Sequence, residues 1–412
     1  MCVKRVVITG SGVVSPFGVG VKQLNDGLRQ GKSAIRRISE LEQIKGVNTA
    51  VAGIVEHFDS SAISRNLRRA MSKAAQFAWL AAQEAIVSAG LELPLNNKSI
   101  GLITGTTTTS VENMEQFFCD YLKSHSVEQV TAMLFFRTMG HSVSVNLAHG
   151  LGICGRVLSL SAACSTGLQA IGTGYEMIKN GEQKIMLCGG AEEYHPLTSA
   201  TFSIMNAASE KYNTSPEKTP RPFDLNRDGI VCAEGAGIVI LEDLESAQKR
   251  NAPILAEIVG FATNTDSENL ASSSPESIID CMRSALENAR LSVKDISYLN
   301  AHATGTLQGD SAEFEAINHL FYDTDLFVSS LKGHLGHTMA ASGAIEISAC
   351  LDMLERQCLI ATKNLDHPEK SCQTTKVRLL QQNTPQKVSY IMKNSFALGG
   401  INCCLIIKEY HD

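Results

Sequence analysis

The feature that most constrains the fold of this chain is an ordered internal duplication. Three pairs of segments share the same succession of strand-like runs, small-residue turns and helical stretches: 85–109 with 285–306, 157–178 with 326–354, and 184–193 with 390–407. A single pair could arise by chance, but the three pairs follow one another in the same order in both parts of the chain. The sequence therefore predicts two related halves that meet near residue 250.

Strand-like and helix-like segments alternate along the whole chain, which predicts an α/β fold. The chain has 412 residues, of which 44% are hydrophobic and 19% are charged. Such a composition is typical of a globular protein with a large core. Together with the duplication, this composition predicts an N-terminal half over residues 1–250 and a C-terminal half over residues 251–412.

Charge and hydropathy exclude several classes of function. The formal net charge is −6 and the pI is about 6.0, so the chain lacks the basic character of a nucleic-acid-binding protein. Its apolar runs are too short to span a bilayer. A strand-like run begins almost at the first residue, so we expect no secretory signal and a cytoplasmic location.

The twelve cysteines are not arranged as metal ligands or as a disulfide framework. No Cys-x-x-Cys pair occurs, and several cysteines, such as Cys188 and Cys350, lie in apolar runs. We therefore interpret most of them as reduced thiols that pack as small hydrophobic side chains, and we predict no metal site.

Cys164 stands apart because it lies between a strand-like run and the start of a helix. Unpaired N–H groups at a helix start favour an anion, which would lower the pKa of the thiol and make it a nucleophile. Its small neighbours would let a substrate carbonyl approach closely: Ala162, Ala163, Ser165 and Gly167. The alternative is a buried structural cysteine at a tightly packed helix start.

Two histidines lie in comparable settings. His302 follows a predicted strand in NAHATGT, and His337 precedes a Gly/Ala-rich helix in LKGHLGHTMAASG. If the halves are duplicated, a pseudo-twofold axis brings the start of this second helix next to that of Cys164. Two histidines facing a cysteine can polarise a carbonyl group or stabilise an enolate. The other histidines considered receive a structural interpretation: His319, His334, His367 and His411.

Taken together, the motifs resemble those of β-ketoacyl-acyl carrier protein synthases of the type II elongating class, which are condensing enzymes with the thiolase fold. The resemblance covers essentially the whole chain and rests on these segments: RVVITGSGVVSPFG, the Cys164 segment, RPFDLNRDGIVCAEGAG, NAHATGT, LKGHLGHTMAASGAIE and NSFALGGIN. It implies duplicated halves in a layered α-β-α-β-α architecture. It also implies an acyltransferase that forms a C–C bond and uses no redox or metal cofactor. The implied partners are an acyl carrier protein and a second ketosynthase-like subunit, identical or related.

The resemblance also assigns roles to individual positions. Cys164 would be acylated from a carrier-protein thioester, and His302 and His337 would assist decarboxylation of a malonyl thioester and stabilise the enolate. Condensation would then extend a fatty-acid-like or polyketide chain by two carbons. Lys332 and Glu346 would support the loop of His337.

Further positions would bind the substrate. The backbone N–H groups of Cys164 and Leu398 would form the oxyanion hole. Thr304 and Thr306 would hydrogen-bond the phosphopantetheine arm, although stabilisation of a turn is an alternative role for both.

The acyl pocket and its gate are the region in which this sequence departs from the family pattern. The resemblance places four residues there: Thr108, Phe202, Phe396 and Leu398. Leu398 replaces a common aromatic residue, Ala397 replaces a glycine, and residues 105–110 form a polar run. These departures suggest an enzyme of a specialised polyene or polyketide pathway rather than of housekeeping fatty-acid elongation.

Carrier proteins are acidic, so a basic docking surface is expected even on an acidic enzyme. Arg65, Arg68 and Arg69 lie in the expected region of the sequence. The alternative is an ordinary solvated helix face.

Other functions fit the sequence less well. A degradative thiolase would need a second catalytic cysteine, and Cys403 and Cys404 lack the glycine-flanked setting of such a residue. A starter-type condensing enzyme would carry asparagine where His337 stands. A non-catalytic chain-length-determining subunit, with little activity alone, would typically lack the nucleophile. A dinucleotide-binding motif fails because Ser15 replaces its third glycine.

Overall fold

The computed structural model describes residues 3–268, 270, 273–370 and 375–411. Within these ranges the chain forms sixteen strands and thirteen α-helices. The strands are β1 Val6–Ser15, β2 Gly18–Val19, β3 Ile35–Arg37, β4 Val51–Gly53, β5 Ile100–Gly105, β6 Val157–Leu160, β7 Ile185–Glu192, β8 Gly235–Asp243, β9 Ala256–Thr265, β10 Tyr298–Asn300, β11 Phe327–Ser329, β12 Cys358–Leu359, β13 Arg378–Leu379, β14 Thr384–Pro385, β15 Tyr390–Phe396 and β16 Ile401–Lys408. The helices are α1 Val21–Arg29, α2 Arg65–Arg68, α3 Lys73–Ser88, α4 Val111–Ser124, α5 Ala132–Arg137, α6 Ser142–Leu151, α7 Thr166–Lys179, α8 Pro196–Ile204, α9 Leu244–Lys249, α10 Pro275–Ala289, α11 Leu307–Phe321, α12 Lys332–Leu335 and α13 Ser342–Arg356.

The sheet topology repeats. Five strands in the order β1-β8-β7-β5-β6 form the first array, and five in the order β9-β16-β15-β10-β11 form the second. In each array the first two pairings are antiparallel and the last two are parallel. β1 pairs with β9, with Val6 opposite Ile258, and joins the arrays. The predicted duplication is therefore present in the fold, while the exact boundary at residue 250 stays a prediction.

Helices and arrays alternate in layers. Helix α3 packs outside the first array, and α10 and α11 pack outside the second. Helices α7 and α13 contact each other between the arrays, and one apolar cluster joins them to strands of both. This is the predicted α-β-α-β-α architecture. None of the helices in the described ranges is long and apolar enough to cross a lipid bilayer.

Glycines in β1 allow the closest contact between a strand and an outer helix. A Cβ atom on Gly12 would lie 1.9 Å from the carbonyl oxygen of Ala81, and one on Gly10 would lie 2.3 Å from that of Ala85. Both distances are far below van der Waals contact. The Gly-Ser-Gly of β1 therefore serves helix–strand packing, which gives this motif a structural explanation.

We predict that Gly12→Ala lowers the free energy of unfolding by about 1–3 kcal/mol, because the added methyl group must displace the backbone of α3. Urea denaturation followed by circular dichroism would measure this loss. Gly140→Ala is the matched control, since the nearest atom to its Cβ would lie 3.8 Å away. Equal stability of the two variants would contradict the packing argument.

Candidate functional site

The candidate active site forms where the starts of the two central helices meet. Cys164 lies in the 3₁₀ turn Ala163–Ser165 directly before α7, and the turn Met339–Ala341 occupies the equivalent place before α13. Ala163 and Met339 have φ values of 44° and 47°, a conformation that non-glycine residues rarely adopt. The same strained turn therefore occurs in both halves, as the duplication predicts.

Small residues make this meeting possible. A Cβ atom on Gly167 would lie 2.6 Å from the carbonyl oxygen of Ala340, so only glycine allows α7 to approach the other turn so closely. Ser395 in β15 donates its hydroxyl to the carbonyl oxygen of Cys164 at 3.1 Å. The nucleophile turn is thus fixed by both halves of the chain.

Cys164, His302 and His337 line one cavity of about 430 Å³. The two imidazole rings have centroids 5.3 Å apart and stand nearly perpendicular, at 85°. The ring of Phe396 lies 5.7 Å from that of His302. The structure therefore brings together three groups that are far apart in the sequence.

Both histidines are held in the neutral form. Burial is the largest cause that lowers the pKa of His302 and His337 well below the ordinary value, and the charge of Lys332 adds to it. Nδ1 of His302 and Nε2 of His337 are buried and have no hydrogen-bond partner among the described residues. The Ser342 hydroxyl lies 3.3 Å from Nδ1 of His337. Each ring thus keeps one nitrogen that the described residues do not satisfy.

A buried group of charges joins α12, α13 and β15. Nζ of Lys332 lies 2.7 Å from one oxygen of Glu346, and Nζ of Lys393 lies 2.5 Å from the other. All three side chains are at most 1% exposed. Burial alone would raise the pKa of Glu346, but the two lysines outweigh it and bring the pKa below its ordinary value. Lys332 and Glu346 were expected here, whereas Lys393 was not.

Two carboxylates that the sequence analysis missed hold the loop of His302. Glu313 accepts hydrogen bonds from the backbone N–H of His302 at 2.9 Å and of Ala303 at 2.7 Å. Asp310 accepts from the N–H of Thr304 at 2.9 Å, and burial raises its pKa to about 7. Two acidic residues three apart at the start of a helix, directly after ATGT, were the signal in the sequence.

The expected pKa of the nucleophile was wrong. Burial raises the pKa of the Cys164 thiol to about 12, although the charge of Lys332 and the backbone N–H groups of Leu398 and Cys164 oppose this shift. The loss of water around the sulfur outweighs the favourable helix start. The thiol is therefore protonated at rest, and it must lose its proton as it reacts.

The expected substrate-binding positions lie around the same cavity. The N–H groups of Leu398 and Cys164 both act on the sulfur of Cys164. Their role as an oxyanion hole stays a prediction. Thr304 and Thr306 line the cavity, with their hydroxyl oxygens 3.2 Å apart. This placement is compatible with the binding of a polar arm.

Three of the four expected gate residues line the cavity: Phe202, Phe396 and Leu398. Leu398 is 46% exposed. Thr108 is not part of the lining. It is exposed, and its hydroxyl lies 3.4 Å from the buried Glu192. The single chain therefore does not bring Thr108 into the pocket that it was expected to shape.

The expected docking arginines lie at the surface around α2. Arg65 and Arg69 are exposed, whereas Arg68 is half-buried and donates to the carbonyl oxygen of Ser60 at 2.8 Å. Arg137, in α5, donates to the backbone carbonyl of Arg69 at 2.7 Å and adds a fourth guanidinium group to the region. Their role in docking stays a prediction.

The remaining candidates lie outside the cavity. Cys403 and Cys404 are buried in β16, and neither lines it. Both ring nitrogens of His334 lie 3.0 Å from backbone carbonyl oxygens, which fits a structural role. Among the described residues no cluster of histidine, cysteine, aspartate and glutamate is arranged to hold a metal ion.

Comparison with protein families agrees with this site. The model of the β-ketoacyl synthase N-terminal domain matches residues 3–247, and that of the C-terminal domain matches residues 255–366. The chain belongs to the β-ketoacyl synthase family. The resemblance of the chain to this family is thus confirmed.

Individual relatives match this family member over nearly its full length. The 3-oxoacyl-[acyl-carrier-protein] synthase 1 of Haemophilus influenzae is 35% identical over 410 residues, which cover 99% of this chain and 100% of the relative. A β-ketoacyl synthase structure from Burkholderia phymatum has a TM-score of 0.93 at 34% identity, with 99% and 100% coverage. The ishigamide ketosynthase/chain length factor has a TM-score of 0.90 at 29% identity, with the same coverage.

We predict that iodoacetamide alkylates Cys164 about tenfold faster for each pH unit between about pH 7 and about pH 9, because only the thiolate reacts. With a pKa of about 12, the rate should not reach a plateau in this range. Peptide mass spectrometry would measure the rate at Cys164, with the exposed Cys154 as internal reference. A plateau below about pH 8 would contradict the protonated resting state.

Proposed function

We propose that the protein is a β-ketoacyl-acyl carrier protein synthase that condenses an acyl group on Cys164 with malonyl carrier protein. The observation that carries this proposal is the meeting of one buried thiol and two neutral histidines in a single cavity. The reaction requires no redox or metal cofactor, since the substrates arrive on the phosphopantetheine arm of the carrier protein.

In the first step the sulfur of Cys164 attacks the thioester carbonyl of an acyl carrier protein. A new C–S bond forms, the old one breaks, and the carrier thiol leaves with the proton that Cys164 gives up. The developing oxyanion accepts hydrogen bonds from the backbone N–H groups of Cys164 and Leu398, a role supported by their position close to the sulfur.

In the second step malonyl carrier protein loses CO₂, and the electron pair of the broken C–C bond forms an enolate. Neutral His302 and His337 stabilise the enolate oxygen by hydrogen bonds. These bonds are stronger in a cavity from which water is excluded. The enolate carbon attacks the acyl-cysteine carbonyl, and the sulfur of Cys164 leaves. The product is a β-ketoacyl thioester that is two carbons longer.

The carrier protein and the second subunit are proposed partners. Thr304 and Thr306 line the cavity, which supports a role in binding the pantetheine arm, and the exposed Arg65 and Arg69 would offer charge to an acidic carrier. The chain would work in the cytoplasm as a homodimer or with a related ketosynthase-like subunit. A role as the non-catalytic partner of such a pair is less well supported, because Cys164 and both histidines are present.

The pathway in which this synthase acts is a second, more detailed proposal. Leu398 and Ala397 at the cavity and the polar run at residues 105–110 support a specialised polyene or polyketide enzyme. The exposed position of Thr108 in the single chain weakens that part of the argument.

We expect wild-type protein mixed with an acyl carrier thioester to gain the acyl mass at Cys164, and Cys164→Ala to gain none. His337→Ala should keep the acyl adduct but lose about 100-fold or more in condensation, because enolate stabilisation is lost. Intact-mass spectrometry and product analysis would separate the two steps. His319→Ala is the control and should behave as wild type. If His337→Ala failed to gain the acyl mass but its condensation step were unaffected, the assignment of His337 to condensation would be contradicted.

Reversing the charge in Arg65→Glu/Arg69→Glu should raise KM for the carrier protein about tenfold at low salt and leave kcat close to wild type, because docking precedes chemistry. Steady-state kinetics at two salt concentrations would test this. The surface variant Lys22→Glu, which lies on α1, is the control. An unchanged KM would favour the alternative, in which these arginines belong to an ordinary solvated helix face.

If the pathway is specialised, turnover on polyunsaturated acyl carriers should exceed turnover on saturated ones of equal length. Competition between the two in one reaction, followed by mass spectrometry of the products, gives the ratio of kcat/KM directly. Equal or faster use of saturated chains would argue for ordinary elongation.

A further inference from the structure

Exposed apolar side chains surround the opening of the cavity that holds Cys164. Met205, Leu307 and Leu398 line this cavity, yet between 40% and 61% of each residue is exposed. A residue that both lines a cavity and faces solvent lies at its mouth. The three residues come from the end of α8, the start of α11 and the loop between β15 and β16. The apolar character of the mouth is therefore built by three separate parts of the fold.

Two further apolar side chains lie next to these three. Ile204 is the last residue of α8, and the carbonyl oxygen of Leu270 accepts a hydrogen bond from the N–H of Gly399 at 2.8 Å. Ile204 is 77% exposed and Leu270 is 79% exposed. Single exposed hydrophobic residues are common, but a group of them around one opening is typical of an interaction site. We call this group the mouth rim: Ile204, Met205, Leu270, Leu307 and Leu398.

Charged side chains contribute little to the mouth. Among the described residues that line the cavity, none is a lysine or an arginine. The carboxylate of Asp228 accepts three hydrogen bonds of 2.8 Å, and the buried Asp310 accepts backbone N–H groups. The exposed polar neighbours of the rim, Asn206 and Gln308, are uncharged. A partner on the rim would therefore gain affinity from apolar contact and not from ion pairs.

The backbone that carries the rim is held in place by hydrogen bonds. Arg227, which is 5% exposed, donates to the carbonyl oxygens of Thr306 at 3.0 Å and of Leu307 at 2.9 Å. The N–H of Met205 donates to the carbonyl oxygen of Thr201 at 3.2 Å. Side chains on a fixed backbone lose less conformational freedom when a partner binds. The rim is thus preorganised for contact.

The path of the substrate decides which partner the rim fits. Acyl and malonyl groups arrive on the phosphopantetheine arm of a carrier protein, and this arm reaches Cys164 through the mouth. The carrier surface around the attached arm must then face the rim. A second subunit held permanently over the rim would instead close the cavity to the arm. The mouth therefore favours the carrier protein over a permanent subunit as the occupant.

We propose that the mouth rim is a docking surface for an apolar patch of the acyl carrier protein, next to the attachment point of its arm. The proposal rests on the proposed function of this site. The apolar contact adds to the charge attraction expected from Arg65 and Arg69, neither of which lines the cavity. The two contributions differ in their dependence on salt, because ions screen charge attraction but not apolar contact.

Ile204→Ser/Leu270→Ser tests the proposal, since neither residue lines the cavity. The KM for hexanoyl carrier protein should rise about tenfold, and by the same factor at low and at high salt. The kcat/KM for hexanoyl-pantetheine, which has the same arm without the protein, should stay within about twofold of wild type. Val87→Ser is the matched control, because Val87 is 78% exposed on α3 and should change neither value.

Three results would overturn the proposal. The first is an unchanged KM for hexanoyl carrier protein in the folded double variant. The second is an equal loss with hexanoyl-pantetheine, because the side chains would then act on the arm and not on the protein. The third is a changed oligomeric state of the variant in analytical ultracentrifugation, which would assign the rim to a subunit interface.

A binding measurement separates this proposal from the proposed reaction. In isothermal titration calorimetry with hexanoyl carrier protein, the Kd of the double variant should be about tenfold weaker than that of wild type. If wild type gained no acyl mass at Cys164 but the Kd differed in this way, the docking surface would be upheld and the proposed reaction overturned. Equal Kd values for the two proteins would overturn the docking surface, whatever the activity.

Discussion

The close contact between the starts of α7 and α13 is the constraint on which the rest of the site depends. Each helix brings a strained turn to a common point, and glycines remove the side chains that would keep the turns apart. A Cβ atom on Gly343 would lie 2.5 Å from the backbone nitrogen of Leu168, just as one on Gly167 would collide with Ala340. A bulkier residue at either position would separate Cys164 from the histidines.

Exclusion of water from this contact sets the protonation states. Burial raises the pKa of the thiol and lowers those of the imidazoles, so Cys164, His302 and His337 are all neutral at rest. Lys332, Lys393 and Glu346 do not line the cavity, and their buried charges neutralise most of one another. Neutral imidazoles next to a neutral thiol can stabilise an enolate by hydrogen bonds, which is what a condensation needs.

Much of this could be predicted from the sequence. The ordered motif pairs sufficed for the duplicated fold, because topology follows the order of elements. Cys164, His302 and His337 were recognisable because each follows a strand or opens a helix among small residues. Lys332 and Glu346 were placed by family resemblance alone.

Other properties depend on distances that the sequence does not contain. Two effects oppose each other at Cys164: burial raises the pKa of its thiol, and the N–H groups at the helix start lower it. The sequence shows the helix boundary but not the burial, so it indicates only the lowering effect. Lys393 pairs with a carboxylate, Glu346, that only the fold brings close, so no local pattern announced it. Asp310 and Glu313 did leave a local pattern after ATGT, but the sequence analysis did not interpret it. Thr108 lies outside the cavity of the single chain, because its position in a motif does not determine its exposure.

A single-turnover reaction with acyl-Cys164 protein and malonyl carrier protein labelled with ¹³C at the free carboxyl group tests the central claim most directly. The account predicts that acyl mass leaves Cys164 at the same rate as labelled CO₂ and a two-carbon-longer β-ketoacyl carrier appear, in equal amounts. CO₂ release without a lengthened product, or an acyl-cysteine that only hydrolyses, would contradict it.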